Sequence, residues 1–494
     1  MPQPDTSSSA LTPHEVRTII FGVMVAMFLA ALDQTIVATA MPTIGRALGD
    51  FENLPWIVTT YLLTSTAVTP LYGKISDITG RRVMLLVAIG VFMLGSILCA
   101  LAPSMLALIL ARALQGLGGG GLISLAQTII ADIVSPMERA RYQGYIASVY
   151  ATSSVAGPAL GGFMAEKLHW SAIFWINLPL GLVAFWMTNS LLKKLPRHER
   201  PHRLDFLGAG LMIIATTALL LALSLGGPHY GWTSPPILGL IGVSLVFWIA
   251  FVVRLMTAPE PLIPTEILAN QVVAMGIIAA CSGVGVFIGL TIYTPILLEG
   301  MYGLTASQSG FTLIALMVGT VAGATLAGRM MVRFKHYKYP TLIGLAIAAL
   351  GLALVAVQPH GLPLAALALI LTVASTGIGT IFPLTVVAIQ NAVLPHQMGT
   401  ATGTLNFFRS LGGALIVAAF GAILIGSLPT DMANNVTIET LASSFAAAGS
   451  DIGSVFRWVF IAATAGLLVS LASLCLMEER PLRSNVGPAS QAAV

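Results

Sequence analysis

Asp33 lies in the run Ala31-Leu32-Asp33-Gln34-Thr35-Ile36-Val37, well inside an apolar stretch that begins near position 17. An ionisable residue at that depth is costly and marks a functional candidate. The chemistry open to it is proton uptake and release. Burial favours the neutral acid, and an adjacent cation favours the carboxylate. The candidate cation is Arg112, in Leu110-Ala111-Arg112-Ala113-Leu114-Gln115-Gly116. Asp33 stands nine residues before Pro42, and Arg112 nine residues after Pro103. At about 1.5 Å per residue, two helices hold both charges roughly 13 Å from the same surface. Opposite charges at equal depth can share one cavity where their helices are neighbours. Two readings stay open: a static pair that fixes helix packing, and a pair coupled to proton or substrate. A permanently buried pair is poor value for stability. Gln34 and Gln115 are the polar accessories, with Glu299 and Arg409 as further charges in or beside later apolar runs.

The elements that must position these residues are membrane helices. Of 494 residues, 56% are hydrophobic and 9% charged, against about 25% charged in soluble domains. Alternating short strands are absent, so spanning falls to helices that satisfy their own backbones. The expected fold class is an all-α polytopic membrane protein with about fourteen spans. Their approximate limits are 17–41, 55–75, 83–102, 104–131, 141–164, 171–192, 205–225, 235–256, 271–297, 308–331, 340–358, 362–391, 402–427 and 455–477. The 49 glycines suit close helix approach in lipid.

Basic residues set the orientation. Loops on one side hold Arg46, Lys167 and Arg457; the other side holds about eighteen Lys and Arg. The positive-inside rule then places both termini in the cytoplasm, and an even span number follows. The N-terminus lacks the short apolar core and cleavage site of a signal peptide. Cys99, Cys281 and Cys475 sit in apolar runs and read as packing residues, so no disulfide or metal is expected. The net charge of +4 gives no sign of nucleic-acid binding. No phosphate-binding Gly-x-x-x-x-Gly-Lys-[Ser/Thr] loop exists, so ATP use is not expected. The eight histidines fall in loops or near helix ends, which argues against a histidine relay. The loop at 193–205 reads as a solvated linker with topogenic charge. The segment 427–454 reads as a mobile outer segment, with Asn435-Val436-Thr437 a glycosylation sequon only in a eukaryotic host.

Residues 73–82 read as a tight cytoplasmic loop, Gly73-Lys74-Ile75-Ser76-Asp77-Ile78-Thr79-Gly80-Arg81-Arg82. Asp77 and Arg81 are four apart and suited to pairing at a helix start. A purely topogenic role for Lys74, Arg81 and Arg82 stays open, but acids contribute little to topology, which leaves Asp77 unexplained. The order Gly-x-x-x-Asp-x-x-Gly-Arg-Arg resembles the signature loop between spans 2 and 3 of the major facilitator superfamily. Residues 328–335 look like its worn copy, with Val332 in place of the acid. The segment Leu32-Asp33-Gln34-Thr35-Ile36-Val37-Ala38-Thr39-Ala40-Met41-Pro42 resembles the span-1 motif of fourteen-span drug/proton antiporters. Residues 110–121 are similar to a span-4 motif whose arginine is tied to proton coupling. In span 5, Gly157-Pro158-Ala159-Leu160-Gly161-Gly162 matches the antiporter pattern Gly-Pro-x-x-Gly-Gly; the alternative is a plain packing kink. Trp56-Ile57-Val58-Thr59-Thr60-Tyr61, Ile173-Phe174-Trp175-Ile176-Asn177-Leu178-Pro179 and Gly399-Thr400-Ala401-Thr402-Gly403 fit the same family. Ser171 and Ala172 depart from its usual Arg-Trp.

The resemblance covers residues 17–480 and implies a proton-coupled exporter working by alternating access, a transporter and not an enzyme. It implies two six-helix bundles, 17–192 and 271–477, around a linker and two extra helices at 193–270, with tails at 1–16 and 478–494. The implied roles are proton coupling for Asp33 and Arg112, a cytoplasmic latch for Gly73, Asp77, Gly80, Arg81 and Arg82, and export bias for Gly157, Pro158, Gly161 and Gly162. No cofactor is implied, since the proton gradient drives the cycle. The span at 362–391 has no acid, so the expected substrates are hydrophobic and neutral, zwitterionic or monocationic. A dedicated exporter of an endogenous metabolite or siderophore remains the alternative. A monomer in a bacterial inner membrane is the expected setting.

Overall fold

The computed structural model describes residues 12–50, 53–194, 204–227, 230–334, 336–358, 362–427 and 451–483. The expectations for residues 1–11, for 195–203 of the linker, for Lys335, for 428–450 with the sequon, and for 484–494 lie outside them. The described residues are helical almost throughout. The helices are α1 (Pro13–Leu48), α2 (Trp56–Thr79), α3 (Arg81–Ala100), α4 (Met105–Ile133), α5 (Pro136–Lys167), α6 (Ala172–Trp175), α7 (Asn177–Leu191), α8 (Phe206–Leu225) and α9 (Pro235–Thr257). They continue as α10 (Thr265–Ala269), α11 (Gln271–Tyr302), α12 (Ala306–Arg333), α13 (Tyr339–Val357), α14 (Leu364–Gly379), α15 (Ile381–Ala392), α16 (Met398–Gly426) and α17 (Ile452–Leu476).

Local chemistry sets several ends. Thr12 with Glu15, Ser135 with Glu138 and Thr305 with Gln308 form capping boxes for α1, α5 and α12, each satisfying otherwise orphaned N–H groups. Gly49 closes α1 in the left-handed region at φ 73, where glycine carries no steric penalty. The helices overrun the limits read from hydropathy: α1 reaches Leu48 rather than 41, and α5 starts at Pro136 rather than 141. Hydropathy marks where lipid begins, whereas capping marks where the helix begins. Two expected single spans are broken. Pro179 and Pro383 lack the N–H that would bond Trp175 and Gly379, four residues earlier, and α6 and α14 end at those two residues.

Residues 73–82 are not a loop. Gly73 through Thr79 complete α2, Arg81 and Arg82 open α3, and Gly80 alone makes the turn, at φ 95. The run of polar residues there ends the lipid-facing stretch but not the helix.

Among the described residues, twelve helical segments are long and apolar enough to cross a membrane. They include α6–α7 and α14–α15 as continuous pieces. The expected count of fourteen adds α2 and α5, which are of similar length but carry more polar residues, so composition alone does not mark them as spans.

The two ends of the chain pair their helices alike. In the first half α3 packs on α4, α2 on α4, α1 on α5, and α7 on α1 and α3. In the second, α13 packs on α14, α12 on α14, α11 on α16, and α17 on α11 and α13. The halves meet along α2–α16 and α5–α12. The α8–α9 hairpin leans on α2 and α16 through Met212, Phe251, Leu63, Phe407 and Leu411, so it covers one edge of that seam.

Candidate functional site

Five helices of the first half converge on Asp33. Its Oδ2 accepts from Arg112 Nη1 at 2.6 Å. Its Oδ1 accepts from Gln115 Nε2 and from Asn177 Nδ2, both at 2.8 Å. Ser96 Oγ on α3 accepts from the same two amides, at 2.7 and 3.2 Å. Arg112 also donates to Gln115 Oε1 at 2.6 Å and to the Ile57 carbonyl at 3.1 Å. Its guanidinium lies 4.3 Å from the centre of the Tyr61 ring, a favourable placement over the ring face. Asp33 is 0% and Arg112 1% exposed. Charges so fully removed from water persist only when paired and hydrogen-bonded, and both conditions are met. Among the described residues, the Tyr61 hydroxyl and Asn177 Oδ1 of this cluster have no hydrogen-bond partner.

Glycines let the helices come this close. A side chain at Gly95 would overlap the Gln115 backbone, and one at Gly116 would overlap Tyr61 and Thr64. The break before Asn177 places that residue first in α7, with its amide turned to Asp33. Sequence reasoning paired Asp33 with Arg112 and Gln115 but gave no role to Asn177 or Ser96. Gln34 is half-buried, neighbours Tyr61 and makes no bond to the Asp33 carboxylate.

The turn between α2 and α3 forms a second site, on the seam. Asp77 Oδ1 accepts from the Gly399 N–H at 3.0 Å, and Oδ2 from the Thr400 N–H at 2.8 Å and its hydroxyl at 2.7 Å. Asp77 therefore sits at the N-terminus of α16 in the other half, where orphaned N–H groups and the helix dipole attract an anion. Arg81 bridges Asp77 at 2.5 Å and Asp132 of α4 at 2.8 Å. Arg82 binds Asn189 of α7 through its side chain and carbonyl, which stays within the first half. Gly73 faces the Gly399 backbone with no room for a side chain. Alongside, Arg139 Nη1 donates to Gln390 of α15 at 3.0 Å while Nη2 donates to the Ala131 carbonyl at 2.7 Å. Arg139 reads from sequence as a topogenic charge; its 2% exposure makes it an internal strut. At this end the two halves are joined.

Of the span-5 residues, Gly157 and Gly161 face α1, where side chains would collide with Thr35, and with Ile36 and Thr39. Thr35 Oγ1 donates to the Ser153 carbonyl at 2.9 Å across the same contact. Pro158 lies on the exposed side of α5 and frees the Ser154 carbonyl. Gly162 differs from its expected partners, since a side chain there would meet nothing within 4 Å. Gly161→Val is expected to lose roughly 1–3 kcal/mol by overpacking, and Gly162→Val to stay within about 0.5 kcal/mol of the parent. Thermal unfolding of the two purified variants checks this; equal midpoints would refute the contact assigned to Gly161.

The remaining candidates lie apart. Glu299, near the end of α11, accepts from Ser309 of α12 at 3.0 Å and ties those two helices together. Arg409 lies on α16 within the seam, donating to Asn406 Oδ1 at 2.5 Å. Neither bonds to the Asp33 cluster.

The chain matches the family model described as Major Facilitator Superfamily over residues 23–417. It is 33% identical over 436 residues to the multidrug transporter protein MdtP of Bacillus subtilis, covering 87% of this chain and 80% of that one. It is 34% identical over 407 residues to multidrug resistance protein 3 of the same organism, covering 82% and 79%. Multidrug resistance protein fnx1 of Schizosaccharomyces pombe is 31% identical over 433 residues, covering 85% and 81%. Among solved structures, the human organic anion transporter MFSD10 superposes with a TM-score of 0.64 at 16% identity, covering 95% of this chain and all of that one; at such identity the likeness concerns the fold. The matched span takes in Asp33, Asp77, Arg112, Thr400 and Arg409 alike, so the ion pair and the seam both fall on the family's common frame, and the chain belongs to the Major Facilitator Superfamily.

Proposed function

We propose that this multi-pass membrane protein is a proton-coupled antiporter that exports hydrophobic or amphipathic small molecules by alternating access. The observation that carries the reading is Asp33, a carboxylate with no exposed surface, held by one guanidinium and two amides inside the first half. A buried carboxylate held by side chains rather than by backbone can exchange a proton when those side chains shift. Relatives named for multidrug transport support the substrate class. In this reading α2 and α5 complete fourteen spans, as two six-helix halves plus the α8–α9 hairpin. The latch end faces the cytoplasm, both termini lie there, and the membrane is a bacterial inner membrane. No cofactor takes part, and one chain is the working unit.

The geometry supports the following cycle. In this reading, with Asp77 on the start of α16, the latch end is shut and the protein is in its cytoplasm-closed state. Proton uptake by Asp33 from outside accompanies substrate release; opening of the latch end returns the proton inside and admits substrate. Apolar and aromatic walls recognise substrates through burial, which gives breadth rather than strict selectivity.

The test is a pH-sensitive dye in energised inverted vesicles, with hydrophobic cations and antibiotics added singly. Proton release from the lumen on addition, absent from vesicles without the protein, is the expected result. Silence across a broad panel would defeat the reading and turn attention to a narrow metabolite exporter.

A further inference from the structure

We propose that Arg409 is the docking point for an anionic group, such as a carboxylate or sulfonate, on an aromatic amphipathic substrate. This rests on the exporter reading and goes beyond it by naming a substrate class. Arg409 stands eleven residues into α16, roughly 17 Å from the latch end at the rise of an α-helix. The other inner arginines are accounted for. Arg112 is paired with Asp33, and Arg81 with Asp77 and Asp132. Arg139 is spent on the carbonyls of Ala131 and Val134 and on Gln390. Arg409 forms no ion pair among the described residues. A guanidinium has five N–H donors, and among the described residues the one hydrogen bond of Arg409 goes to the neutral Asn406. A cation at membrane depth without a counter-charge is costly. An incoming anion offsets that cost and fills the free donors with strong, charge-assisted bonds.

The surroundings suit an aromatic body. Arg409 lies 5.7 Å from the Phe382 ring centre, and Phe287 meets Phe382 edge-on at 6.3 Å. Tyr150, on α5 of the opposite half, lies near Arg409. On the latch side, Asn406 Nδ2 donates to Gln127 Oε1 of α4 at 2.9 Å. That bond closes the seam one turn below the arginine. A ligand resting on Arg409 therefore sits on the floor of the seam and touches both halves, so its arrival bears directly on whether the floor opens. Of the substrate charges expected from sequence, this selects the zwitterionic and adds the anionic.

Tetramethylrhodamine and its methyl ester make a matched pair, one with a free carboxylate and one without. Their binding to the full chain in nanodiscs is read by fluorescence anisotropy, and their movement in energised inverted vesicles by quenching. Arg409→Gln is expected to weaken the acid about tenfold or more, the effect of one charge-assisted bond, and to leave the ester unchanged. Arg409→Lys is expected to keep part of the acid's affinity, which shows that charge rather than folding is at issue. Equal loss of both dyes in Arg409→Gln, or loss of neither, overturns the assignment while the exporter reading stands. If the unaltered protein neither binds nor moves either dye, the assignment falls, while the exporter reading is decided by the broader panel of compounds.

Discussion

Replacing Asp33 with asparagine is expected to remove the ability of a pH gradient to concentrate substrate, while passive exchange of substrate continues. One pH unit is worth about 1.4 kcal/mol per proton, so a coupled exporter gains about tenfold in accumulation per unit for each proton moved. The variant is expected to gain nothing from the same gradient. The geometry gives the reason. Both oxygens of Asp33 are acceptors, one for Arg112 and one for Gln115 and Asn177. An asparagine turns one of them into a donor, which faces either the guanidinium or the two amides. It also leaves Arg112, 1% exposed, without its counter-charge. Loss of one partner from a buried pair costs roughly 3–5 kcal/mol. Lower yield alone would therefore prove little, and a second variant separates the two readings of the pair. Asp33→Asn with Arg112→Met removes both charges, and such replacement is often neutral for stability. If the pair only fixes packing, the double variant recovers gradient-driven transport. If the pair carries the proton, the double variant folds and still gains nothing from the gradient. Undiminished dependence on the gradient in Asp33→Asn would end the coupling assignment outright.

What could be read in the sequence follows from which interactions leave a mark on composition. Asp33 and Arg112 stand out because charge in an apolar run is expensive, and two prolines gave them a common depth. The structure brings them to 2.6 Å. Asn177 and Ser96 leave no such mark. Neutral polar residues are ordinary in helices, and Asn177 reaches Asp33 only because α6 stops at Trp175. The seam was less legible still. Asp77 is 322 residues from Gly399 along the chain, and its partners there are mostly backbone N–H groups, which any residue supplies. The turn at Gly80 was visible, but residues 73–79 continue α2, because helix ends are set by capping and not by the lipid boundary. Gly162 shows the same limit from the other direction. It belongs to a matched pattern, yet only Gly157 and Gly161 of that run's glycines lie against another helix. A pattern in sequence does not say which of its members face inward.

Asp77→Ala is expected to shift the protein toward the conformation in which the latch end is open. The substitution removes two backbone-to-carboxylate bonds, a hydroxyl bond and the ion pair with Arg81. Each hydrogen bond to a charged group contributes roughly 1.5–3 kcal/mol, and loss of a helix cap costs about 1 kcal/mol. Water replaces part of this once the halves separate, so a net bias of about 2–4 kcal/mol is the reasonable scale. That is a shift of roughly thirty- to a thousandfold between closed and open. The remaining struts, Arg139 to Gln390 and Asn406 to Gln127, resist opening but carry no pair of opposite charges across the seam. Asp77→Asn keeps one acceptor and is expected to fall between the parent and alanine. Spin labels at Thr79 and Arg333, exposed residues at the latch end of the two halves, report the separation directly. The parent is expected to show one short distance, and Asp77→Ala a dominant longer one, with export slowed because the closed state is seldom reached. An unchanged distance distribution in Asp77→Ala would mean that Asp77 caps α16 without controlling the seam, and closure would then rest on the glycine contacts between Gly73 and Gly399.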